Sequence, residues 1–193
     1  MIDGLLDEAA LAAAALTRIA AGSGPGTFTG LRVGIATARG LAKSLGVELV
    51  AVSSLRALAH GARAEEPLRP LLATIDARRG EVFVAVYGPR GEELLAPRAL
   101  APESIAAVLS SAGLDAQAPV GIGDGAVRYR DALVAAGAEV PPDDSPLHLL
   151  RAGAICALGL DATPIDSGDL VPDYLRRPDA ELALEGAGGG GGS

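Results

Sequence analysis

The 193-residue chain is long enough for one medium domain or two small ones, and a chain of this size buries roughly 70% of its unfolded surface without needing staples. One cysteine, Cys156, excludes an internal disulfide framework, and no Cys or His cluster has zinc-ligand spacing, so a cytoplasmic, reducing setting is expected. A formal net charge of −8 opposes lone binding to a polyanion, because affinity there rests on Lys and Arg neutralising phosphates; any nucleic-acid contact is expected to be made with a partner.

The start, "MIDGLLDEAA", is acidic where a signal peptide needs a basic stretch, and "AALAAAAL" ends at Thr17 and Arg18, short of the ~20 apolar residues of a membrane span. No membrane partner is expected. Residues 1–16 read as an alanine-rich helix and 17–22 as a short buried strand. A glycine-rich loop follows, then a helix from Phe28 to Leu45 closed by Gly46 as a left-handed cap. Residues 47–54 read as a strand, and Ser53 or Ser54 as the cap of the helix "LRALAHGARA". That order signals an α/β layer with parallel strands.

"EEPLRP" (65–70) is the best candidate domain boundary. Beyond it, "LLATIDA" and "EVFVAVYG" are two strands joined through "ARRG", a hairpin signal in which Gly80 permits positive φ, with a third strand in "PRGEELLAPRAL". A proline-started helix over 102–112 leads to a short strand in "APVGIGDGA". Helices near 126–137 and 146–160 follow, then a proline-punctuated arm over 171–182. The last stretch, "EGAGGGGGS", cannot bury apolar area and reads as a flexible tail.

The stretch "GSGPGTFTGLRVGIATARGLAKSLG" (22–46) raises the question of a nucleotide. A P-loop needs lysine after its last glycine, and here Leu31 follows Gly30. The dinucleotide fingerprint is also missed, since Thr27, Phe28 and Thr29 intervene between Gly26 and Gly30. Two readings stay open at this level: a looser cradle of backbone amides, and a tight turn in which Thr27 caps the helix. Within the helix, Gly30, Gly34, Ala38 and Ala42 recur every four residues. A ridge without bulk admits close approach, near the lower end of the usual roughly 8–10 Å. Interior glycines at 34 and 40 each cost ~1 kcal/mol relative to alanine, which suggests a packing reason. The pattern leaves open whether the ridge faces its own sheet or a partner helix.

Other candidates carry two readings each. Asp76 and Glu81 flank the "ARRG" turn and have the residue types for acid–base work. With Arg78 and Arg79 beside them, a solvated ion-paired hairpin is the preferred reading. "GDGAVRYR" (123–130) offers amides to an anion, but Asp124 would repel one, which favours a capped turn. "YLRRP" (174–178) reads as a site for a phosphate or carboxylate, or as a surface-docking arm.

Taken together, "GSGPGTFTGLRVGIATARGLA", "VAVSSLRALA", "ATIDARRGEVFVAVY" and "PDYLRRPDAE", in this order over about residues 2–182, resemble the TsaB family, also called YeaZ. The resemblance implies an α/β actin-like ATPase (ASKHA) fold in two lobes: 1–66 as the first, 67–183 as the second with a C-terminal arm, and 184–193 as the Gly-rich tail. It implies a part in making N6-threonylcarbamoyladenosine at position 37 of ANN-reading tRNAs. In that role the subunit is not the catalyst; it pairs with TsaD, the pair recruits the ATPase TsaE, and TsaC supplies the threonylcarbamoyl-adenylate. It further implies tRNA contact only within the complex, a homodimer in isolation, and no cofactor.

TsaD shares a similar glycine turn but carries an H-x-x-x-H metal pair past the following strand. Here His60 has Arg56 four residues before it, and His148 has no paired spacing, so no metal site and no catalytic residue are expected. Carried over by position, Phe28, Leu31, Arg32, Gly34, Ile35, Ala36, Ala38 and Arg39 are expected at or beside the TsaD contact, together with the first helix. The family opens with strands ahead of that helix, and Met1 falls within it; the first lobe is therefore expected to lack its opening strands and to leave an apolar edge unpaired. The alternative is a degenerate actin-like ATPase or a metal-dependent, peptidase-like enzyme.

Overall fold

Two hydrophobic alternations organise the chain into two sheets. In the computed structural model, which describes residues 2–173 and 175, a short helix α1 (Ile2–Glu8) precedes β1 (Arg18–Gly24), α2 (Phe28–Leu45), β2 (Glu48–Ser53) and α3 (Ser54–Ala62). The strands β1 and β2 pair in parallel, from Arg18 opposite Glu48 to Gly24 opposite Ser53, with α2 as the crossover. Its cap is as expected: Gly46 takes the left-handed conformation at φ 66°, and Ser53 Oγ accepts the Arg56 N–H at the start of α3.

The second sheet runs β5–β4–β3–β6, built from β3 (Leu71–Arg78), β4 (Glu81–Tyr87), β5 (Glu93–Leu100) and β6 (Val120–Ile122). The first three strands are antiparallel, and β6 joins β3 in parallel. Arg78 pairs with Glu81 across a two-residue loop, and Arg79 and Gly80 there have φ of 53° and 82°, the type I′ combination that matches strand twist. Period-two patterning sends Phe83, Ala85 and Tyr87 to one face and Val82, Val84 and Val86 to the other. The first face packs on Leu55, Leu58 and Ala62 of α3. The second packs on Ile105 and Leu109 of α4 (Ile105–Ser111) and Leu133 of α6 (Arg130–Ala135).

The first sheet is covered on one side by Ile35, Ala38 and Ala42 of α2, which pack with Leu49 and Leu170. Its other side receives α7 (Ala152–Leu160), where Ala154 packs with Val52 and Ala57. The segment after α7 stays on this sheet: Ile165 N–H donates to Leu49 O at 2.9 Å and Asp173 N–H to Ser23 O at 2.7 Å. The boundary expected at 66/67 falls between α3 and β3. Across it, α3 packs on both sheets, and residues 152–173 pack against the first sheet rather than the second.

Three expected helices are shorter than their patterns. The helix expected over 1–16 stops at Glu8, because Ala10 turns left-handed at φ 52° and Leu11 N–H closes a Schellman turn onto Leu6 O at 2.9 Å. Alanine there has nothing to bury, and propensity alone does not hold a short helix. The helix expected near 126–137 breaks at Tyr129 (φ −114°) into α5 (Asp124–Arg128) and α6. The one expected over 146–160 is a 3₁₀ turn at Pro146–His148, a short extended stretch, and α7. The tail at 184–193 and most of the 171–182 arm, including every residue of "YLRRP" except Leu175, lie outside the described residues. Leu175 packs on the cluster beneath α3.

Candidate partner interface

The glycine loop is folded onto the protein's own chain. Gly24, at φ 122°, has a conformation that L side chains rarely adopt, and a Cβ there would lie 3.2 Å from Asp173 O and 3.3 Å from Leu31 Cδ1. Partial burial lifts the Asp173 carboxyl above its ordinary value. A carboxyl group beside the loop disfavours an anion there. Thr27 stands before α2 in extended conformation without a side-chain capping bond, its carbonyl accepting the Leu31 N–H at 2.9 Å. The expected Thr27 side-chain cap is thus replaced by backbone closure.

The small-residue ridge divides. Each step of four residues advances about 40° around an α-helix, so three steps turn through about 120°. Gly30 and Gly34 accordingly face outward, whereas Ala38 and Ala42 are buried against the sheet. The outward stripe is Thr29, Val33, Ala36 and Gly40, flanked by Gly34 and Thr37. A Cβ at Gly34 or Gly40 would meet nothing within 4 Å. Val33 is 61% exposed and Phe28 is 58% exposed, and the Arg32 guanidinium stacks 3.8 Å from the Phe28 ring centroid.

The eight residues expected at the contact therefore separate by angle. Phe28, Arg32, Gly34 and Ala36 stand on the outward face. Leu31 is half-buried over Gly24 and Gly26. Ile35, 4% exposed, and Ala38 belong to the protein's own core, because they lie on the side of α2 turned to β1 and β2. Arg39 clamps the C-terminal segment, its guanidinium donating to Ser167 O and, at 2.6 Å, to Gly168 O. Thr29, Val33 and Gly40, which the positional carry-over does not include, share the outward face by the 100° helical period.

The remaining candidates resolve into structural roles. The Asp76 side chain is 6% exposed, so the solvated hairpin reading is corrected: it ion-pairs with Arg78 at 3.3 Å and Arg128 at 3.7 Å. Its Oδ1 accepts the Tyr129 O–H at 3.3 Å and the Arg78 N–H at 3.0 Å. Arg128 and Tyr129 arrive because glycines let α5 press on β3; a Cβ at Gly123 would collide with Thr74 O, and one at Gly125 would stand 3.0 Å from Ile75 N. The exposed Asp124 carboxylate accepts the Asp76 N–H at 3.0 Å, while α5 starts from Gly123 without a side-chain capping bond, so the capped turn expected here is instead a tie from α5 to β3.

Among the described residues, no group of three or more His, Cys, Asp or Glu side chains is placed to hold a metal ion. His60 is exposed on α3 with Arg56 four residues before it, and His148 is buried with Nε2 3.3 Å from Pro141 O. No helix among the described residues is long and apolar enough to cross a membrane.

This geometry has known counterparts. Residues 1–126 match the family described as TsaD: tRNA N6-adenosine threonylcarbamoyltransferase. The chain is 39% identical over 87 residues to the tRNA threonylcarbamoyladenosine biosynthesis protein TsaB of Escherichia coli K12, an alignment that covers 45% of this chain and 38% of that relative. Over 176 residues it is 35% identical to an uncharacterized protein of Mycobacterium tuberculosis H37Rv, covering 91% of this chain and 72% of that one. The solved structure of YeaZ from Pseudomonas aeruginosa superposes with a TM-score of 0.72 at 31% identity, over 90% of this chain and 81% of that structure. With four ordered motifs, a shared fold over nine-tenths of its length and an α/β architecture of the actin-like ATPase (ASKHA) type, the chain belongs to the TsaB (YeaZ) family.

Proposed function

We propose that this chain is a non-catalytic scaffold and activator subunit that pairs with TsaD in forming N6-threonylcarbamoyladenosine at position 37 of ANN-reading tRNAs. The outward face of α2 carries the reading. Its inner side is packed on the protein's own sheet, while its outer side presents small residues, Val33 and the Phe28–Arg32 stack, which the described residues leave exposed. Small side chains permit the close helix approach that a pairing surface needs. The surface centres on Phe28, Arg32, Val33, Gly34, Ala36 and Gly40. TsaE joins through the pair, and tRNA is contacted only within the complex, in keeping with the net charge of −8. The lobe organisation expected from the resemblance is part of the same reading.

The chemistry then belongs to TsaD. Arg56 stands where the resemblance would place the first histidine of TsaD's metal pair, and a guanidinium supplies no metal ligand. The test is reconstitution. The purified chain alone should transfer no threonylcarbamoyl group, and adding it to TsaD, TsaE, ATP, threonylcarbamoyl-adenylate and tRNA should raise the rate of transfer. A folded chain that leaves that rate unchanged, or that hydrolyses ATP or peptides without TsaD, would overturn the proposal.

A further inference from the structure

Most arginines of the described chain are spent within it. Arg18, Arg69, Arg78 and Arg130 each hold a carboxylate, and Arg39 holds two backbone carbonyls. Two that are not spent converge on one concavity. Between α3, the β4–β5 connection and α7 lies a hollow of about 260 Å³ whose lining includes Arg56, His60, Arg63 and Arg90, with Ala59 and Leu158 as apolar walls. Arg56 and His60 are four apart on α3, which places them side by side on one helix face.

The wall opposite α3 is built to hold its shape. Gly88 N–H donates to Glu92 O at 2.8 Å, Gly91 N–H to Gly88 O at 2.9 Å, and Arg90 N–H to the Glu92 carboxylate at 2.8 Å. Arg63 fixes the base, donating to the carbonyls of Glu66, Arg69, Tyr87 and Gly88. Its donors are consumed, yet its charge remains. No carboxylate lines the hollow; Glu92, whose charge with that of Glu66 acts on Arg63, accepts the Arg90 N–H within its own loop. Among the described residues, neither Arg56 nor Arg90 has an ion pair or a side-chain hydrogen bond.

In a chain of net charge −8, the side chains of Arg56 and Arg90, with Arg63 behind them, form a local basic concavity whose field favours an anion. Two free guanidinium forks with a third fixed charge behind them suit a dianion with several oxygens better than a carboxylate, which one fork satisfies. We propose that this concavity binds the phosphate group of a small phosphorylated ligand, with Arg56 and Arg90 as the donors. The site is independent of the α2 surface, so its failure leaves the reading of that surface untouched.

The probe is pyrophosphate, titrated calorimetrically into the full chain at low salt. Saturable binding is expected, weakened at least tenfold by Arg56→Gln and by Arg90→Gln, and unchanged by Arg151→Gln, an exposed arginine outside the hollow. Both substituted side chains are exposed, and thermal melts check that the variants stay folded; Arg56→Lys and Arg90→Lys, which keep charge but lose the fork, should weaken binding by a smaller factor. ADP binding tighter than pyrophosphate assigns the phosphate to a nucleotide, and equal binding assigns it to phosphate alone. Absent binding, binding indifferent to both glutamine variants, or equal affinity for citrate overturns the proposal. So does a short RNA that binds tenfold tighter than pyrophosphate and is lost with the same variants, since the phosphate would then belong to a macromolecule.

Discussion

A methyl group at Gly159 would stand 2.6 Å from the Cβ of Ala20 and 3.3 Å from Val50 Cγ2. Helix α7 therefore rests on β1 with backbone against side chain, and this contact fastens α7 to the first sheet. Gly159→Ala improves helix propensity by ~1 kcal/mol yet overfills a closed interface, and overpacking of this kind costs about 1–3 kcal/mol. Gly159→Val adds more bulk without that propensity gain. The expected result is a lower urea midpoint for alanine and a larger drop for valine; a rise in both would mean that α7 moves aside freely.

Gly34→Leu tests the opposite situation. Nothing lies within 4 Å of the added carbon in this chain, so stability should be unchanged or raised by up to ~1 kcal/mol through helix propensity. On the proposed pairing, leucine overfills a close contact, and a cost of about 1.4 kcal/mol or more appears as at least a tenfold loss of affinity for TsaD. A melt and a binding titration on the same preparation separate the two effects. Unaltered affinity would remove α2 from the interface.

Asp76→Ala should be among the more destabilising single changes. The carboxylate is almost wholly buried and collects Arg78, Arg128, the Tyr129 hydroxyl and a backbone N–H. Removing it takes the acceptor from the part-buried Tyr129 hydroxyl and from the Arg78 N–H, a loss that costs about 1–3 kcal/mol, while the exposed Arg78 and Arg128 guanidinium groups turn to water. The denaturant midpoint reads this directly, and a midpoint within experimental error of the unaltered chain would contradict the packing of α5 on β3. Were Asp76 instead a catalytic group, its loss would remove activity with little change in stability.

Tyr87 predicts an alkaline limit. Burial raises its phenol from 10.0 to about 12, with Glu93 adding to the effect and a hydrogen bond with Ser53 opposing it. The folded chain holds this proton more tightly than the unfolded chain. Its contribution to stability is therefore complete below pH 10 and is lost as pH rises toward 12. The phenolate absorbance of Tyr87 should lag behind that of an exposed tyrosine by about two pH units. Tyr87→Phe should remove both that late step and the matching part of the alkaline loss of stability.

Local chemistry made much of this legible in advance. The bounds of α2 followed from a capping position and a glycine that takes a positive φ. The β3–β4 hairpin followed from period-two apolar residues around "ARRG". The outward face of α2 was legible only in part, because matching positions by motif says nothing of angle; Ile35 and Ala38 fall on the inner side of the same helix that turns Phe28 and Arg32 outward. Asp76 was misjudged for a related reason. Its sequence neighbours Arg78 and Arg79 suggested a solvated turn, while Arg128 and Tyr129, some fifty residues on, decide its burial.

The sequence by itself determined most of the periodic elements, the Gly46 and Ser53 caps, the hairpin turn and the membership of the family, because hydrophobic period, glycine conformation and motif order are properties of neighbouring residues. Tertiary structure alone decided which side of α2 the described residues leave exposed, that α7 and the segment behind it return to the first sheet, and that Arg56 and Arg90 line one hollow with no carboxylate among its described lining. Those outcomes depend on closing long loops of chain. The contacts that favour one closure over another, such as Gly159 on Ala20 or Gly125 on Ile75, join residues that no local pattern relates.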